Sequence, residues 1–222
     1  MKKIMVIAPH PDDETLGCGG ALLRFRREGC RLAWLVVTDM TAEVGFTPAQ
    51  IARRDTEIEK VGKIYGFDAV YRLGFATTRL DAIPMAQLSR SIGKAVAAFQ
   101  PHTLLVPFGN DNHTDHQVVF KASASCFKWF RFPSVKKVLV YETLSETDQA
   151  VGSKTKAFSP NVFVDISKEV SRKIAVMKIY KSEFAKFPFP RSEKAIRSLA
   201  AVRGAASGHN SAEAFMLIKE TL

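Results

Sequence analysis

The 222-residue sequence contains only three cysteines, Cys18, Cys30 and Cys126, and it has no apolar run long enough to cross a bilayer. Three scattered cysteines exclude a disulfide framework and a zinc ribbon, and they indicate free thiols in a reducing compartment. The apolar stretch after Lys3 is shorter than the core of a secretory signal. It leads directly into a cluster of carboxylates, which favours a first β-strand over a leader. We therefore expect a cytoplasmic protein.

The sequence also lacks the motifs of nucleic-acid-binding and dinucleotide-binding proteins. The glycine cluster at residues 17–20 does not have the G-x-G-x-x-G spacing, so it indicates close helix packing rather than a phosphate loop. The net charge is nevertheless +10, and it lies almost wholly in residues 117–222, which carry 18 basic and 9 acidic side chains. Such a surface attracts an anionic substrate or an anionic membrane surface. Without a recognised motif, we expect no nucleic-acid partner.

Strand-like and helix-like segments alternate along the chain. Apolar runs predict strands at residues 3–8, 31–38, 69–73, 103–107, 137–142 and 161–165, and helical periodicity predicts helices at 14–28, 48–65, 84–99, 115–130, 168–184 and 193–203. This alternation predicts an α/β fold of the Rossmann-like type, with a mainly parallel, doubly wound sheet flanked by helices. We expect a single domain over residues 1–222, with a core sheet in 1–145 and a C-terminal elaboration in 146–222.

Two polar clusters follow predicted strands. Residues 9–14 read Pro-His-Pro-Asp-Asp-Glu after the first strand, and residues 110–116 read Asn-Asp-Asn-His-Thr-Asp-His after the strand at 103–107. Ligands of open α/β sheets bind at the carboxyl ends of the strands, so both clusters are expected at one edge. Histidine and carboxylate ligands with an open position form hydrolytic metal sites. By itself, the first cluster is also compatible with carboxylates that only stabilise a helix N-terminus.

The same two clusters resemble the paired motifs of the LmbE-like, or PIG-L, zinc de-N-acetylases. The resemblance continues in residues 54–57 (Arg-Asp-Thr-Glu), 141–143 (Tyr-Glu-Thr), 203–204 (Arg-Gly) and 212–215 (Ala-Glu-Ala-Phe), so it spans nearly the whole chain. It implies a zinc-dependent hydrolase that removes an N-acetyl or other N-acyl group from an amino sugar. The implied metal ligands are His10, Asp13 and His116, which hold zinc or another divalent transition metal.

The resemblance also implies catalytic roles. Asp12 corresponds to the general base that deprotonates the attacking water. His113 corresponds to the group that donates to the developing oxyanion, and Asp115, with Asp111 as a second candidate, orients and charges that imidazole. Arg54 corresponds to a residue that binds the sugar, although an ion pair with Glu57 one turn away explains it equally well.

One loop departs from the family pattern. Where many members carry an Asp-Gly turn after the third strand, this chain reads Phe-Ala-Thr-Thr-Arg-Leu-Asp at residues 75–81, with Asp81 displaced and Arg79 added. The identity of the sugar therefore stays open. Two other classes also stay open: a metal-dependent phosphoesterase, which usually needs two metals, and a non-enzymatic nucleotide-binding or regulatory module on the same scaffold.

Overall fold

In the computed structural model, residues 1–149 and 157–222 are described, and they form a three-layer α/β fold around one sheet. The strands are β1 (Lys3–Ala8), β2 (Arg31–Asp39), β3 (Ala69–Ala76), β4 (Thr103–Pro107), β5 (Lys137–Tyr141), β6 (Val162–Asp165) and β7 (Ala212–Glu220). The helices are α1 (Asp13–Arg27), α2 (Pro48–Tyr65), α3 (Met85–Phe99), α4 (Thr114–Ser123), α5 (Val170–Met177) and α6 (Glu193–Ala205). The expected α/β class is confirmed.

The sheet has the strand order β3-β2-β1-β4-β5-β7-β6. The first five strands in this order are parallel, whereas β7 pairs antiparallel with both β5 and β6. The order reverses between β1 and β4, which lie next to each other. Loops that follow adjacent strands at such a switch point form a crevice at the carboxyl edge of the sheet. The two polar clusters of the sequence follow these two strands.

Both faces of the sheet are covered, which explains the nearly continuous apolar strands. In β1, Ile4, Val6 and Ala8 pack on the side of α1, α2, α5 and α6, while Met5 and Ile7 pack on the side of α3 and α4. Successive strand side chains point to opposite faces of the sheet. In a strand that is buried on both faces, every position therefore lies in an apolar core. The two cores fix β1 and therefore the loop that follows it.

The boundaries of α2 follow from local sequence chemistry. The Thr47 side chain accepts from the backbone N–H of Gln50, the Gln50 side chain accepts from the Thr47 N–H, and Pro48 occupies the first turn. Gly66 ends the helix with φ +66°, a conformation that glycine adopts without a Cβ penalty. This helix carries Arg54 toward the carboxyl edge.

Three elements differ from the sequence expectation. The helix predicted at 115–130 ends as α4 at Ser123 and continues as a short 3-10 turn, Ala124–Phe127. The helix predicted at 168–184 is only the eight-residue α5, after which the chain runs through turns until α6 begins. The sequence pattern does not predict strand β7, because its residues mix apolar and charged types and its second half is only partly buried or exposed. Since β7 lies between β5 and β6, residues 146–222 complete the same sheet.

Within the described residues, no helix combines the length and apolar character needed to span a membrane.

Candidate metal centre and active site

The turn between β1 and α1 is fixed by hydrogen bonds from several elements. Thr38 donates to the Pro9 carbonyl through both its backbone N–H (3.0 Å) and its hydroxyl (2.8 Å), and Arg54 Nη1 donates to the Pro11 carbonyl at 2.8 Å. The Asp12 N–H donates to Glu14 Oε2 at 3.0 Å and holds Asp12 at φ 139°, outside the usual region for a non-glycine residue. Strain of this kind persists where surrounding contacts enforce it, and it is common at functional sites.

Three side chains converge beside this turn in the arrangement that the resemblance implies. Asp13 Oδ2 lies 3.4 Å from His10 Nδ1 and 3.2 Å from His116 Nε2. One ligand atom from each of these three residues falls within 4.8 Å of the others. Two imidazole nitrogens and one carboxylate are a ligand set typical of zinc, with room for water in a further position. The residues present therefore fit a single divalent metal.

The second nitrogen of each of these histidines contacts a buried carboxylate. His10 Nε2 is 3.0 Å from Asp115 Oδ2, and His116 Nδ1 is 2.8 Å from Asp111 Oδ2. Metal-ligating histidines characteristically donate their other ring N–H to such a partner, which fixes the tautomer and raises the basicity of the ligand nitrogen. This pairing strengthens the fit. A second possible group, His10 with His113 and Asp115, shares His10 with the first.

The carboxylates around His10 and His116 favour the positively charged form of both imidazoles. Burial alone would lower the pKa of His10, but Asp115 and Asp13 raise it to about 9. Burial would likewise lower the pKa of His116, but Asp13 and Asp111 raise it to about 10. Burial alone would raise the pKa of Asp13, but the imidazoles of His116 and His10 lower it, and the pKa lies well below its usual value. The electrostatics of the cluster therefore favour a positive charge at its centre, and a divalent metal would supply that charge.

Asp12 lies next to this cluster and contacts Arg191, a residue that the sequence analysis did not single out. Arg191 Nη1 is 3.2 Å from Asp12 Oδ2. Burial, followed by the charge of Asp13, raises the pKa of Asp12, and Arg191 opposes this rise. No motif marks Arg191: it lies in the aromatic and proline-rich segment at residues 184–191, which carries no periodicity.

His113 is the N-cap of α4, and its Nδ1 accepts from the Asp115 backbone N–H at 3.1 Å. The neutral ring therefore carries its proton on Nε2 and remains a donor. Burial, together with His10 and His116, lowers the pKa of His113 to about 4. The Asp115 carboxylate instead accepts from His10 and from the backbone N–H groups of Thr78 (2.7 Å) and Leu80 (3.3 Å). The charge of Asp115 opposes the fall in the pKa of His113, but its carboxylate makes no hydrogen bond to that ring among the described contacts, so its role toward His113 stays a prediction.

Arg54 is 5% exposed, and both of its terminal nitrogens donate to protein partners, whereas its buried Nε makes no hydrogen bond to any described residue. Besides Pro11, its guanidinium contacts Glu183 Oε1 at 2.7 Å and Glu57 Oε2 at 3.1 Å. The ion pair with Glu57, which is the alternative explanation of Arg54, is present. Arg54 also lines the pocket described next, so its contact with a sugar stays a prediction.

The metal cluster opens into a pocket of about 200 Å³ at the carboxyl edge of the sheet. Its lining includes every expected site residue except Asp115 and Asp111. It also includes ten further residues: Pro11, Thr38, Asp39, Met40, Phe46, Thr77, Thr78, Glu146, Glu183 and Arg191. Among the described residues, Arg79 and Asp81 are not part of this lining. Carboxylates outnumber arginines on the wall, which contrasts with the basic surface of the chain.

Comparisons with known proteins point to one family. Residues 5–127 match the family model PIG-L, described as GlcNAc-PI de-N-acetylase. The chain is 25% identical to diacetylchitobiose deacetylase from Thermococcus kodakarensis, over 98% of this chain and 84% of the relative. It is 31% identical to the uncharacterised deacetylase YaiS from Escherichia coli, over 82% and 91%. The crystal structure of the conserved protein TT1542 from Thermus thermophilus superposes with a TM-score of 0.79 at 26% identity, covering 100% of this chain and 97% of that one.

Proposed function

Because the chain belongs to the PIG-L family of de-N-acetylases, we propose that it is a metal-dependent hydrolase that removes an N-acetyl group from an amino sugar. One observation carries this proposal. Within a single pocket, the ligand set of His10, Asp13 and His116 lies beside Asp12 on one loop and His113 on another. Amide hydrolysis needs a base for water, a donor for the carbonyl oxygen and a site that stabilises charge, and this pocket contains all three kinds of group.

We propose zinc as the metal, held by His10 Nδ1, an Asp13 carboxylate oxygen and His116 Nε2. Two nitrogens and one oxygen favour zinc over calcium or magnesium, which prefer oxygen ligands. When bound there, the metal supplies Lewis acidity and lowers the pKa of a coordinated water toward about 7. Asp115 and Asp111 orient the two imidazoles.

The remaining steps belong to the side chains of this pocket. Asp12 accepts a proton from the attacking water, because its carboxylate adjoins the ligand set and is not needed as a ligand. His113 donates from Nε2 to the carbonyl oxygen as negative charge develops there. A neutral imidazole serves this purpose, since its tautomer is fixed by the Asp115 N–H at Nδ1. The amine product leaves after it receives a proton from one of these two groups.

The charge of the pocket supports a neutral acetamido sugar. Five carboxylates and two arginines line it: Asp12, Asp13, Asp39, Glu146 and Glu183, with Arg54 and Arg191. A phosphate placed among these carboxylates would meet repulsion, which disfavours the phosphoesterase alternative and a substrate whose anionic group enters the pocket. Two relatives support an N-acetylated amino sugar by name, a diacetylchitobiose deacetylase and a probable N-acetyl-alpha-D-glucosaminyl L-malate deacetylase from Bacillus anthracis. Only the first of these names describes a neutral sugar, since malate is anionic.

We also propose that the chain acts as one domain in the cytoplasm. The placement of β7 between β5 and β6 supports a single folding unit. The cysteines Cys18, Cys30 and Cys126 are free, and two of them are buried, as suits a reducing compartment.

An assay of acetate and phosphate release tests the proposal. Zinc-loaded protein is incubated with N-acetylglucosamine, diacetylchitobiose and their phosphorylated counterparts, and both products are quantified. We expect acetate from at least one neutral acetamido sugar and no phosphate. Phosphate release without acetate would favour the phosphoesterase, and neither product from any sugar would favour a binding module.

A further inference from the structure

The segment between α5 and α6, residues 178–192, supplies two side chains to the pocket wall. Arg191 Nη1 contacts Asp12 Oδ2 at 3.2 Å and Glu183 Oε2 at 2.8 Å, and its Nε donates to Ser145 Oγ at 2.9 Å. Glu183 in turn contacts Arg54 at 2.7 Å. Arg191 Nη2 also lies 3.5 Å from Glu146 Oε1, so three residues other than Asp12 hold the guanidinium: Glu183, Ser145 and Glu146.

From this geometry we infer that Arg191 is a positioning residue for Asp12, a role that rests on the proposed deacetylase function. The backbone of Asp12 is fixed by Glu14, but its side chain has only the contact with Arg191 to hold Oδ2 among the hydrogen bonds and ion pairs of the described residues. With Oδ2 engaged, Oδ1 is the oxygen that accepts the proton from water. A general base that is misplaced by about 1 Å loses roughly a hundredfold in rate.

A planar guanidinium suits this task better than an ammonium group. Arg191 spans Asp12 and Glu183 with Nη1 while Nε reaches Ser145, which needs donors in a fixed fork. Lysine offers a single flexible ammonium group and reaches one of these partners at a time. The substitution Arg191→Lys is therefore expected to retain part of the effect.

Kinetics of Arg191→Ala and Arg191→Lys test the inference, with Arg197→Ala as the control. Arg197 is exposed on α6 and pairs only with Glu193 among its described contacts. We expect kcat to fall about a hundredfold in Arg191→Ala and less in Arg191→Lys, with KM within about twofold and zinc content unchanged. Guanidinium ion added to the solution should restore part of kcat in Arg191→Ala and none in Asp12→Asn.

Three outcomes overturn the inference: an unchanged kcat, a rise in KM alone, which would make Arg191 a substrate contact, or no rescue together with lost zinc. A wild-type protein that releases no acetate would instead reject the proposed function. In that case a crystal structure of Arg191→Ala still tests the positioning role. If Arg191 holds the Asp12 carboxylate, the carboxylate should leave its present rotamer in this variant. A carboxylate that stays in place would contradict the role.

A separate surface lies at the opposite end of the sheet. Trp129 and Phe130 are 72% and 63% exposed, and they precede β5, whereas the pocket lies at the carboxyl ends of the strands. The two rings meet edge to face at 6.0 Å, and the Arg131 guanidinium lies 5.9 Å from the Phe130 ring. We name residues 128–131 the aromatic turn. Two adjacent aromatic side chains with this exposure make the aromatic turn a candidate interaction site.

The surroundings of the aromatic turn are basic. Residues 117–141 contain five lysines and arginines and no acidic residue, and one of the five, Lys137, pairs with Glu220 of β7 at 3.1 Å. Lys219 of β7 adds a further cation, since its Nζ donates to the carbonyls of Phe127 and Val135 at 2.9 and 3.0 Å. Helix α5 and the residue after it offer fewer free cations for an anionic partner, because Lys173 is buried against Glu213 and Lys178 pairs with Glu193.

We propose that the aromatic turn docks on an anionic lipid surface. Tryptophan and phenylalanine favour the interfacial zone of a bilayer, and adjacent lysines and arginines are attracted by anionic headgroups. A second copy of the chain is the poorer partner, because a twofold contact through this turn would bring like charges together. This proposal does not depend on the enzymatic activity.

The tryptophan content makes a direct test available. Trp34 is fully buried, so an emission change on adding vesicles reports on Trp129. We expect a blue shift and quenching by brominated lipids with phosphatidylglycerol vesicles, and neither with phosphatidylcholine alone. The double variant Lys128→Gln/Arg131→Gln should partition about 30-fold more weakly, and Phe187→Ser, at another exposed aromatic, should bind like the wild type. Unchanged emission, or a dimer in sedimentation without vesicles that Phe130→Ser abolishes, would overturn the proposal.

Discussion

The substitution Asp115→Asn separates two roles for this carboxylate. In the structure, Asp115 accepts from His10 Nε2 and from the N–H groups of Thr78 and Leu80, and only its backbone N–H contacts His113. The substitution removes the charge beside His10 and leaves the backbone contact to His113 intact. We therefore expect a defect in metal affinity rather than in the catalytic step.

The magnitude follows from the kind of contact that is lost. Removing an outer partner of a metal-ligating histidine typically lowers metal affinity by about 10–100-fold, or roughly 1.4–2.7 kcal/mol. The asparagine oxygen still accepts one of the three hydrogen bonds, so the lower part of this range is expected. Once zinc saturates the variant, kcat should return to within a few-fold of the wild type.

Zinc affinity is measured by competition with a fluorescent chelator, and kcat by acetate release at saturating zinc. The exposed Asp81 lies near the same loop, so Asp81→Asn serves as the matched control and should change neither quantity. A variant of Asp115 with unchanged zinc affinity and a kcat lowered a hundredfold would refute the reasoning. That result would assign Asp115 to His113, as the resemblance alone implies.

Three further predictions follow from the site and the core. His113→Ala should retain zinc and lower kcat more than it raises KM, and any basic limb of the pH profile should persist, since the pKa of His113 lies near 4; loss of that limb would contradict this. Zinc affinity should rise between about pH 6 and 8, by up to about a hundredfold per pH unit. The two ligating histidines have pKa values of about 9 and 10, so zinc must displace a proton from each of them. Calorimetry in buffers of different ionisation enthalpy measures this proton release, and a pH-independent affinity would argue against it. Gly20→Ala should lower the free energy of unfolding by about 1–3 kcal/mol, because its Cβ would lie 2.6 Å from Ile166; in the control Gly62→Ala, the nearest atom is 3.9 Å away, and equal melting temperatures would refute the argument.

The sheet core was predictable because buried strands leave a strong signal. Residues 4–8 and 104–107 are apolar without interruption, and the observed strands begin one residue earlier, as β1 (Lys3–Ala8) and β4 (Thr103–Pro107). Strand β7 gave no such signal. Its residues 216–220 are only partly buried or exposed, and its place between β5 and β6 depends on long-range pairing that the local pattern does not encode.

The site divides in the same way. Motif residues such as His10 and His116 lie in short polar stretches that directly follow strands. The positions of these stretches in the sequence were therefore enough to predict that the residues meet at one edge of the sheet. Arg191 reaches Asp12 across 179 positions from a segment of turns, and only the tertiary fold reveals that contact. The sequence also does not predict which histidine the Asp115 carboxylate contacts. Both His10 and His113 are candidates, and the choice between them depends on side-chain geometry.

The most direct test of the account is a zinc titration of acetate release with Asp12→Asn beside the wild type. Metal-stripped wild-type protein should gain activity in proportion to added zinc up to one equivalent per chain, while Asp12→Asn binds the same equivalent and releases almost no acetate. This result would tie turnover to one metal and to a base that is not a ligand. Acetate release by the stripped protein, or by Asp12→Asn at a rate close to that of the wild type, would contradict the central claim.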